Sequence, residues 1–517
     1  MSGKRERAYS EALQRVKLAG EEGAADLSLS GLALQRLPPE LSELTALTRL
    51  HLDGCSELED ISALERCAGL VALDLRACPS VVDLSPLRGA QMLEELWLGV
   101  RSWFAVYHSY ERPSALVSLD VVKYLPTLRT LAVIGCSHVS TLQPLAALAA
   151  LQSLDLSGCQ DLRDLPLQSL SALRSLKLSR CWQLRDLQPL QSLCNLQSLN
   201  LYLCGGVQDL QPLQSLSALQ TLDLTGCWQL RDLQPLQSLS ALQSLNLTEC
   251  AQLQDLRPLE SLSALQSLGL RNCEQLRDLR PLESLSALQS LDLGGCKEVR
   301  DLQPLQGLTG LQSLFLRGCK RVQSVYPLHG LNLLHDLDLS GCGQVHELDS
   351  LQTLREISRV NLFDGSLLDC SPGAQPLASW NQLSELVANR LLGAPSDLGS
   401  ADFYDNALPR IRGWQEDLDS GEAPNSTVKL FVLGNGGVGK TQICRRLRGE
   451  AFDPSVPSTH GISLGEVPLA KATATQPAVD ANCWDFGGQD IYLGTHALFL
   501  DGRAIYVIAW TAHYENT

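Results

Sequence analysis

The chain has 517 residues, a formal net charge of −16 and an aromatic content of only 5%. The acidic balance excludes nucleic acid as the main partner, since binding it needs a basic footprint. Abundant leucine with so few aromatics excludes an ordinary globular core, and the length accommodates two or more domains.

The first stretch, MSGKRERAYSEALQRVKLAG, lacks the apolar core of a secretory signal, and no run of 18 apolar residues is present to span a membrane. It reads as an amphipathic helix with Ala8, Leu13, Val16 and Leu18 on one side. Residues 1–23 are therefore expected to form an N-terminal helical cap over a repeat array.

From about residue 24 the sequence is periodic. Twelve of the 17 cysteines recur in register: Cys55, Cys78, Cys136, Cys159, Cys181, Cys204, Cys227, Cys250, Cys273, Cys296, Cys319 and Cys342. Every step from Cys181 to Cys342 is 23 residues. The unit, LxxLxLxxC followed by xxLxDLxPLxxLxx, resembles the leucine-rich repeat, with Cys where many repeats carry Asn. About 15 coils are expected over residues 24–365, with strand leucines from Leu27 to Leu337 and Val360 in the last. LxLxx is a short strand with its leucines inward by period-2 alternation. The cysteine is a small buried hydrophobe that can offer its S–H to a backbone carbonyl. The Asp of DLxPL can accept N–H groups where the convex turn starts, and Pro at the first helical position fixes φ there. No C-x-x-C pair occurs, so zinc and thioredoxin-like spacings are absent. Buried, reduced cysteines imply a reducing compartment, and a cytoplasmic location is expected.

The exposed strand positions are monotonous, as at Gln220-Thr221 and Gln243-Ser244, with a more varied position at Asp155, Lys177, Asn200, Asp223, Asn246, Gly269 and Asp292. They carry no catalytic constellation. Trp182 and Trp228 lie two units apart on one edge with Tyr202 between, either as anchors for a protein partner or packed over the coil edges. A 12-residue insertion brings Trp103, Phe104, Tyr107 and Tyr110, either a binding loop or a self-packed one, and Arg101 takes the place of a ladder cysteine. Residues 366–426 read as a connector with a helix at NALPRIRGWQEDLDS.

The segment 427–517 opens with VKLFVLGNGGVGKTQICRRL. Strand, glycine loop and helix are the context of a P-loop. GNGGVG also matches GxGxxG, and WDFGGQD contains the kinase Asp-Phe-Gly. The kinase layout fails, because no HRD lies in the 46 residues between Gly439 and Asp485. The dinucleotide layout needs an acidic residue ending a second strand about 20 residues on. Asp453 has that spacing but sits in the loop-like FDPSVPSTHGI. The P-loop reading assigns Gly434, Asn435, Gly436, Gly437, Val438, Gly439, Lys440, Thr441 and Gln442 to the phosphate cradle. Lys440 meets the β/γ-phosphates and Thr441 a Mg ion. Thr459 follows 18 residues later as a second Mg ligand. Asp485 ends a strand and anchors Mg, Gly488 senses the γ-phosphate, and Gln489 is the catalytic residue that positions water. In this order the motifs describe a Ras-like GTPase segment.

Leucine-rich repeats followed by GNGGVGKTQICRRL, FDPSVPSTHGI and WDFGGQDIYLGTHALFL resemble the Roco proteins, which carry a Roc GTPase domain followed by a COR domain. The resemblance implies an α/β chain: a solenoid followed by the first half of a P-loop GTPase domain. It also implies GTP/GDP and Mg as cofactors, slow GTP hydrolysis, and a protein partner on the repeats. Dimerisation in that family runs through COR, so a homodimer is expected only through regions absent from this sequence. No [NT]KxD follows the strand RAIYVIAW, and guanine specificity is implied by the resemblance alone. A truncated G domain, inactive as a hydrolase by itself, is the expectation for these 517 residues. The alternative is a non-enzymatic repeat scaffold carrying a GTPase remnant.

Overall fold

The computed structural model describes residues 2–101, 114–139, 141–346, 348–370, 381–392, 398–402, 405–419, 427–433, 440–455, 462–470, 479–486 and 504–508. Two compact units, Met1–Pro409 and Arg410–Thr517, divide the chain.

The first unit is a parallel solenoid. Strands β1 to β15, from Asp26–Ser28 to Arg359–Asn361, pair each with the next. Leucine stands on leucine: Leu222, Leu245, Leu268, Leu291 and Leu314 are successive cross-strand partners, and all are buried. A single coil could not bury both flanks of its leucine row, so stacking supplies the core. The ladder also runs one coil further than the 15 expected. Beyond the short β16 (Leu368–Asp369), β17 (Glu385–Val387) pairs in parallel with β15 through Val360 and Leu386. The 23-residue period has lapsed there, but Leu386 still fills the inward strand position.

Two hydrogen-bond ladders join the coils besides the strand backbone, and a third set of bonds lies within the coils. Ladder thiols donate to a leucine carbonyl of the preceding coil, as Cys204 Sγ to Leu178 O at 3.0 Å and Cys319 Sγ to Leu293 O at 3.1 Å. Serines of PLQS or PLES donate likewise, as Ser238 Oγ to Gln214 O at 2.8 Å. Within each coil the Asp of DLxPL accepts the N–H two residues on, as Asp209 Oδ1 from Gln211 at 2.8 Å, at the start of the 3₁₀ turn Gln211–Ser215. Proline is the second residue of these turns rather than the first. The N–H groups at both positions lack an intrahelical acceptor, so Pro forfeits no bond at either.

The varied strand-face position has a structural role that its polarity did not reveal. Asp223 Oδ1 accepts the N–H of Thr225, Asn246 that of Thr248 and Asp292 that of Gly294, at 3.0, 3.1 and 2.8 Å. A short polar side chain there satisfies the backbone where the strand ends.

Helix α1 (Ser2–Glu22) caps the first coil with a face that matches the expected one at Ala8 and Val16 but not at Leu18. Its buried residues are Ala8, Ala12, Val16 and Ala19, whereas Leu18 is exposed. Alanines at i, i+4 spacing let the helix approach closely, and Leu18 lies about 200° round the helix from Val16. Helix α2 (Leu408–Asp419) forms at the expected NALPRIRGWQEDLDS segment. The aromatic insertion residues Trp103, Phe104, Tyr107 and Tyr110 lie outside the described residues. Arg101, in place of a ladder cysteine, bonds Asp53 Oδ2 through Nη2 at 2.7 Å.

Trp182 and Trp228 are 48% and 49% exposed, so each is half packed over its coil edge and half presented. A Cβ on Gly205 would stand 2.7 Å from ring atoms of Trp228, so the indole rests on that glycine in the coil before. Gly205→Val is therefore expected to displace the ring at a cost of roughly 1–3 kcal/mol. A red-shifted tryptophan emission and a lower unfolding midpoint would show it; unchanged values would place the ring elsewhere.

Candidate functional site

The second unit centres on a four-stranded sheet, comprising β19 (Thr427–Leu433), β20 (Ile462–Ala470), β21 (Val479–Phe486) and β22 (Ala504–Ile508). Their order is β20-β21-β19-β22, with only the β20–β21 pair antiparallel. Helix α3 (Lys440–Leu447) follows β19 and packs on the sheet through Cys444, with Ile443 beside it. Val432, Val467 and Cys483 complete this small core. The β-branched residues of VKLFVL favour the strand, and the glycine loop ends it.

This topology discriminates between the motif readings. In a dinucleotide fold the strand after the first helix is parallel and lies beside the first strand. Here that strand, β20, is antiparallel and sits at the sheet edge, separated from β19 by β21. Asp453 ends no strand. Its carboxylate accepts the hydroxyl of Ser455 at 2.6 Å and the N–H of Ser455 at 2.9 Å in a turn after α3, and these bonds hold it below the usual carboxylate range.

Of the predicted residues, Lys440, Thr441 and the strand position of Asp485 are described, and they lie toward one end of the sheet. Ligands of open α/β sheets bind outside the carboxyl ends of the strands, where the chain order switches sides. β19 sends its chain to β20 on one side, and its other neighbour is β22, so β19 is that switch point. Its carboxyl end leads into the glycine loop, and Lys440 and Thr441 open the helix beyond. In parallel register Asp485 pairs with Val432, two residues before Gly434. The backbone thus puts the strand position of Asp485 beside the entry to the loop. Lys440 is buried, at 6% exposure, in the first turn of α3. A helix N-terminus is the end that attracts anions.

Gln442 is turned to structural work. Its Nε2 donates to Asp453 O at 2.6 Å and its Oε1 accepts the N–H of Asp453 at 3.3 Å. This two-bond clamp ties α3 to the segment leading toward Thr459, a contact 11 residues apart that no local spacing announces. Gly434, Asn435, Gly436, Gly437, Val438, Gly439, Thr459, Gly488 and Gln489 lie outside the described residues. Among the described residues no cluster of three or more His, Cys, Asp or Glu forms a protein-only metal site, and no helix is long and apolar enough to cross a membrane.

Comparison with known proteins agrees with this geometry. Residues 429–517 match the family described as Roc, the Ras of Complex domain of DAPkinase. A probable serine/threonine-protein kinase, pats1 of Dictyostelium discoideum, is 28% identical over 145 residues, covering 25% of this chain and 5% of that protein. A Roc-COR-CHAT protease of Runella zeae is 27% identical over 145 residues, covering 26% of this chain and 15% of its own length. The chain thus spans a small part of these relatives. An internalin (inlF) of Listeria monocytogenes superposes with a TM-score of 0.50 at 23% identity, covering 67% of this chain and 93% of that one, a likeness of fold. A leucine-rich-repeat solenoid in the first unit and a Roc match over residues 429–517 in the second give this chain the arrangement of the Roco proteins it resembles.

Proposed function

We propose that the chain couples a protein-binding repeat solenoid to a guanine-nucleotide switch. The observation that carries this reading is the meeting of β19, the N-terminus of α3 and the strand position of Asp485 at one sheet end. Backbone N–H groups of residues 436–441 wrap the phosphates, and Lys440 neutralises their β/γ oxygens. Thr441, Thr459 and Asp485 would hold a Mg ion, which would draw charge from the phosphates when bound. Gly488 senses the γ-phosphate and Gln489 orients the attacking water, so hydrolysis changes what the loops of Thr459 and Gly488 can grip. The partner is a protein docked on the repeats, with the half-exposed Trp182 and Trp228 as anchors.

The test is isothermal titration of the purified chain with GTP and GDP in Mg buffer, followed by capture of a repeat-bound partner in each nucleotide state. Mg-dependent binding of both nucleotides, with partner capture differing between them, is the expected result. Partner capture that persists unchanged after deletion of residues 427–517 would make the solenoid an independent scaffold.

A further inference from the structure

The nucleotide unit contains a thiol pair arranged unlike the cysteines of the solenoid. Ladder thiols of neighbouring coils each donate to a backbone carbonyl, as Cys250 does to Leu224 and Cys273 to Leu247, which keeps their hydrogens occupied on oxygen. Cys483 Sγ instead donates to Cys444 Sγ, at 3.3 Å. Both residues are 2% exposed, in the core shared by Leu430, Val432 and Val467. They are 39 residues apart in the chain and belong to different elements, α3 and β21.

Their neighbours in sequence make the contact consequential. Cys444 follows Lys440 by four residues, one helical turn on the same face. Cys483 precedes Asp485 by two residues on β21. The sulfur contact therefore joins the helix that carries Lys440 and Thr441 to the strand that carries Asp485. A disulfide holds its sulfurs about 2.05 Å apart. Forming one here requires the two sulfurs to approach by about 1.2 Å, taken up by rotation of the side chains together with a shift of the helix against the strand. Misplacement on that scale in a positioned site costs on the order of 10- to 100-fold.

We propose that Cys444 and Cys483 are a dithiol modification site, oxidised by a peroxide to an intramolecular disulfide that weakens phosphate binding at Lys440. One thiol attacks the peroxide O–O bond, giving a sulfenic acid and water. The second thiol then displaces the hydroxyl from that sulfur, forming the S–S bond and releasing a second water. Two thiols are oxidised and one peroxide is reduced. The coupling to phosphate binding rests on the nucleotide reading above; the disulfide does not.

The experiment uses the full chain carrying Cys194→Ser, which removes the exposed thiol. After treatment with hydrogen peroxide, the chain is alkylated under denaturing conditions and digested. The expected product is a linked peptide pair containing Cys444 and Cys483, about 2 Da lighter than the two thiol peptides together, and split by reductant. GTP affinity, measured by titration, is expected to fall about tenfold on oxidation and to recover on reduction. Cys444→Ala should abolish both changes. Recovery of Cys444 and Cys483 as separate alkylated thiols or sulfinic acids overturns the site. A linked pair with unchanged GTP affinity overturns the coupling alone. Absence of GTP binding in the reduced chain defeats the nucleotide reading and the coupling, while the linked peptide still decides the site.

Discussion

Lys440→Ala should lose GTP and GDP binding by a factor of about 100 or more. The ammonium is buried at the helix N-terminus, and removing one partner of a buried charge pair costs about 3–5 kcal/mol. The packing of α3 rests on Cys444 and Ile443 against Val432, Val467 and Cys483, none of which is altered. The variant should therefore fold, and its unfolding midpoint should no longer rise when Mg-GTP is added. That rise, RT ln(1 + [L]/Kd), is the signature of binding to the folded state and separates lost affinity from lost structure. Equal ligand-induced stabilisation of the variant and the parent chain would remove Lys440 from the site. Gln442→Ala should behave differently: its amide clamps Asp453, so the change should loosen the segment after α3 before it affects phosphate contacts.

The second large effect is alkaline lability of the solenoid. Burial pushes the ladder thiols up from an ordinary value near 9, with Cys55 and Cys136 at about 11 and Cys78, Cys204, Cys250, Cys296 and Cys342 at about 12. Cys181 is also driven well above its ordinary value by burial. The folded state therefore binds more protons than the unfolded chain between pH 9 and about 12. Stability is fully present below pH 9 and is lost as pH rises through that window. Each exposed thiol contributes about 1.4 kcal/mol to unfolding per pH unit above 9. Summed over the ladder, this is comparable with the whole stability of a typical domain, on the order of 5–15 kcal/mol. In reducing buffer the unfolding midpoint should fall by on the order of 10 °C or more between pH 8 and pH 10. Calorimetry at pH 10 in buffers of different ionisation enthalpy should register about ten protons released on unfolding. A flat midpoint with no proton release would mean that the thiols are not buried in solution.

The relation between repeat pattern and structure differs between the two units. In the solenoid a 23-residue period with inward leucines leaves one way to bury the apolar row, which is parallel stacking in register. The sulfur donors to backbone carbonyls and the Asp acceptors of DLxPL were legible for the same reason, since both are local roles repeated many times. The coil at Glu385–Val387 was not legible, because the leucine spacing that marks a coil has lapsed and only the neighbouring strand recruits it. The face of α1 was legible at Ala8 and Val16 but not in full, for a related reason. Hydrophobicity ranks leucine above alanine, while close packing of a cap on a coil also selects the small residues Ala12 and Ala19 over Leu18.

For the second unit, residue type and order along the chain pointed to a Roc-like segment, which the family match over residues 429–517 supports. GxxxxGKT between a strand and a helix, followed by Asp485 and Gln489, restricts the possible ligands through residue type and order. The sequence by itself also determined the solenoid, through its period. The topology β20-β21-β19-β22, which rejects the dinucleotide alternative, and the pairing of Asp485 with Val432, two residues before Gly434, came from the three-dimensional fold. The clamp of Gln442 on Asp453, the contact of Cys444 with Cys483, and the seat of Trp228 on Gly205 also belong to the fold alone. The first two join residues 11 and 39 apart that share no local pattern and are fixed by strand register and helix packing, while Trp228 and Gly205 hold the same position in successive repeats.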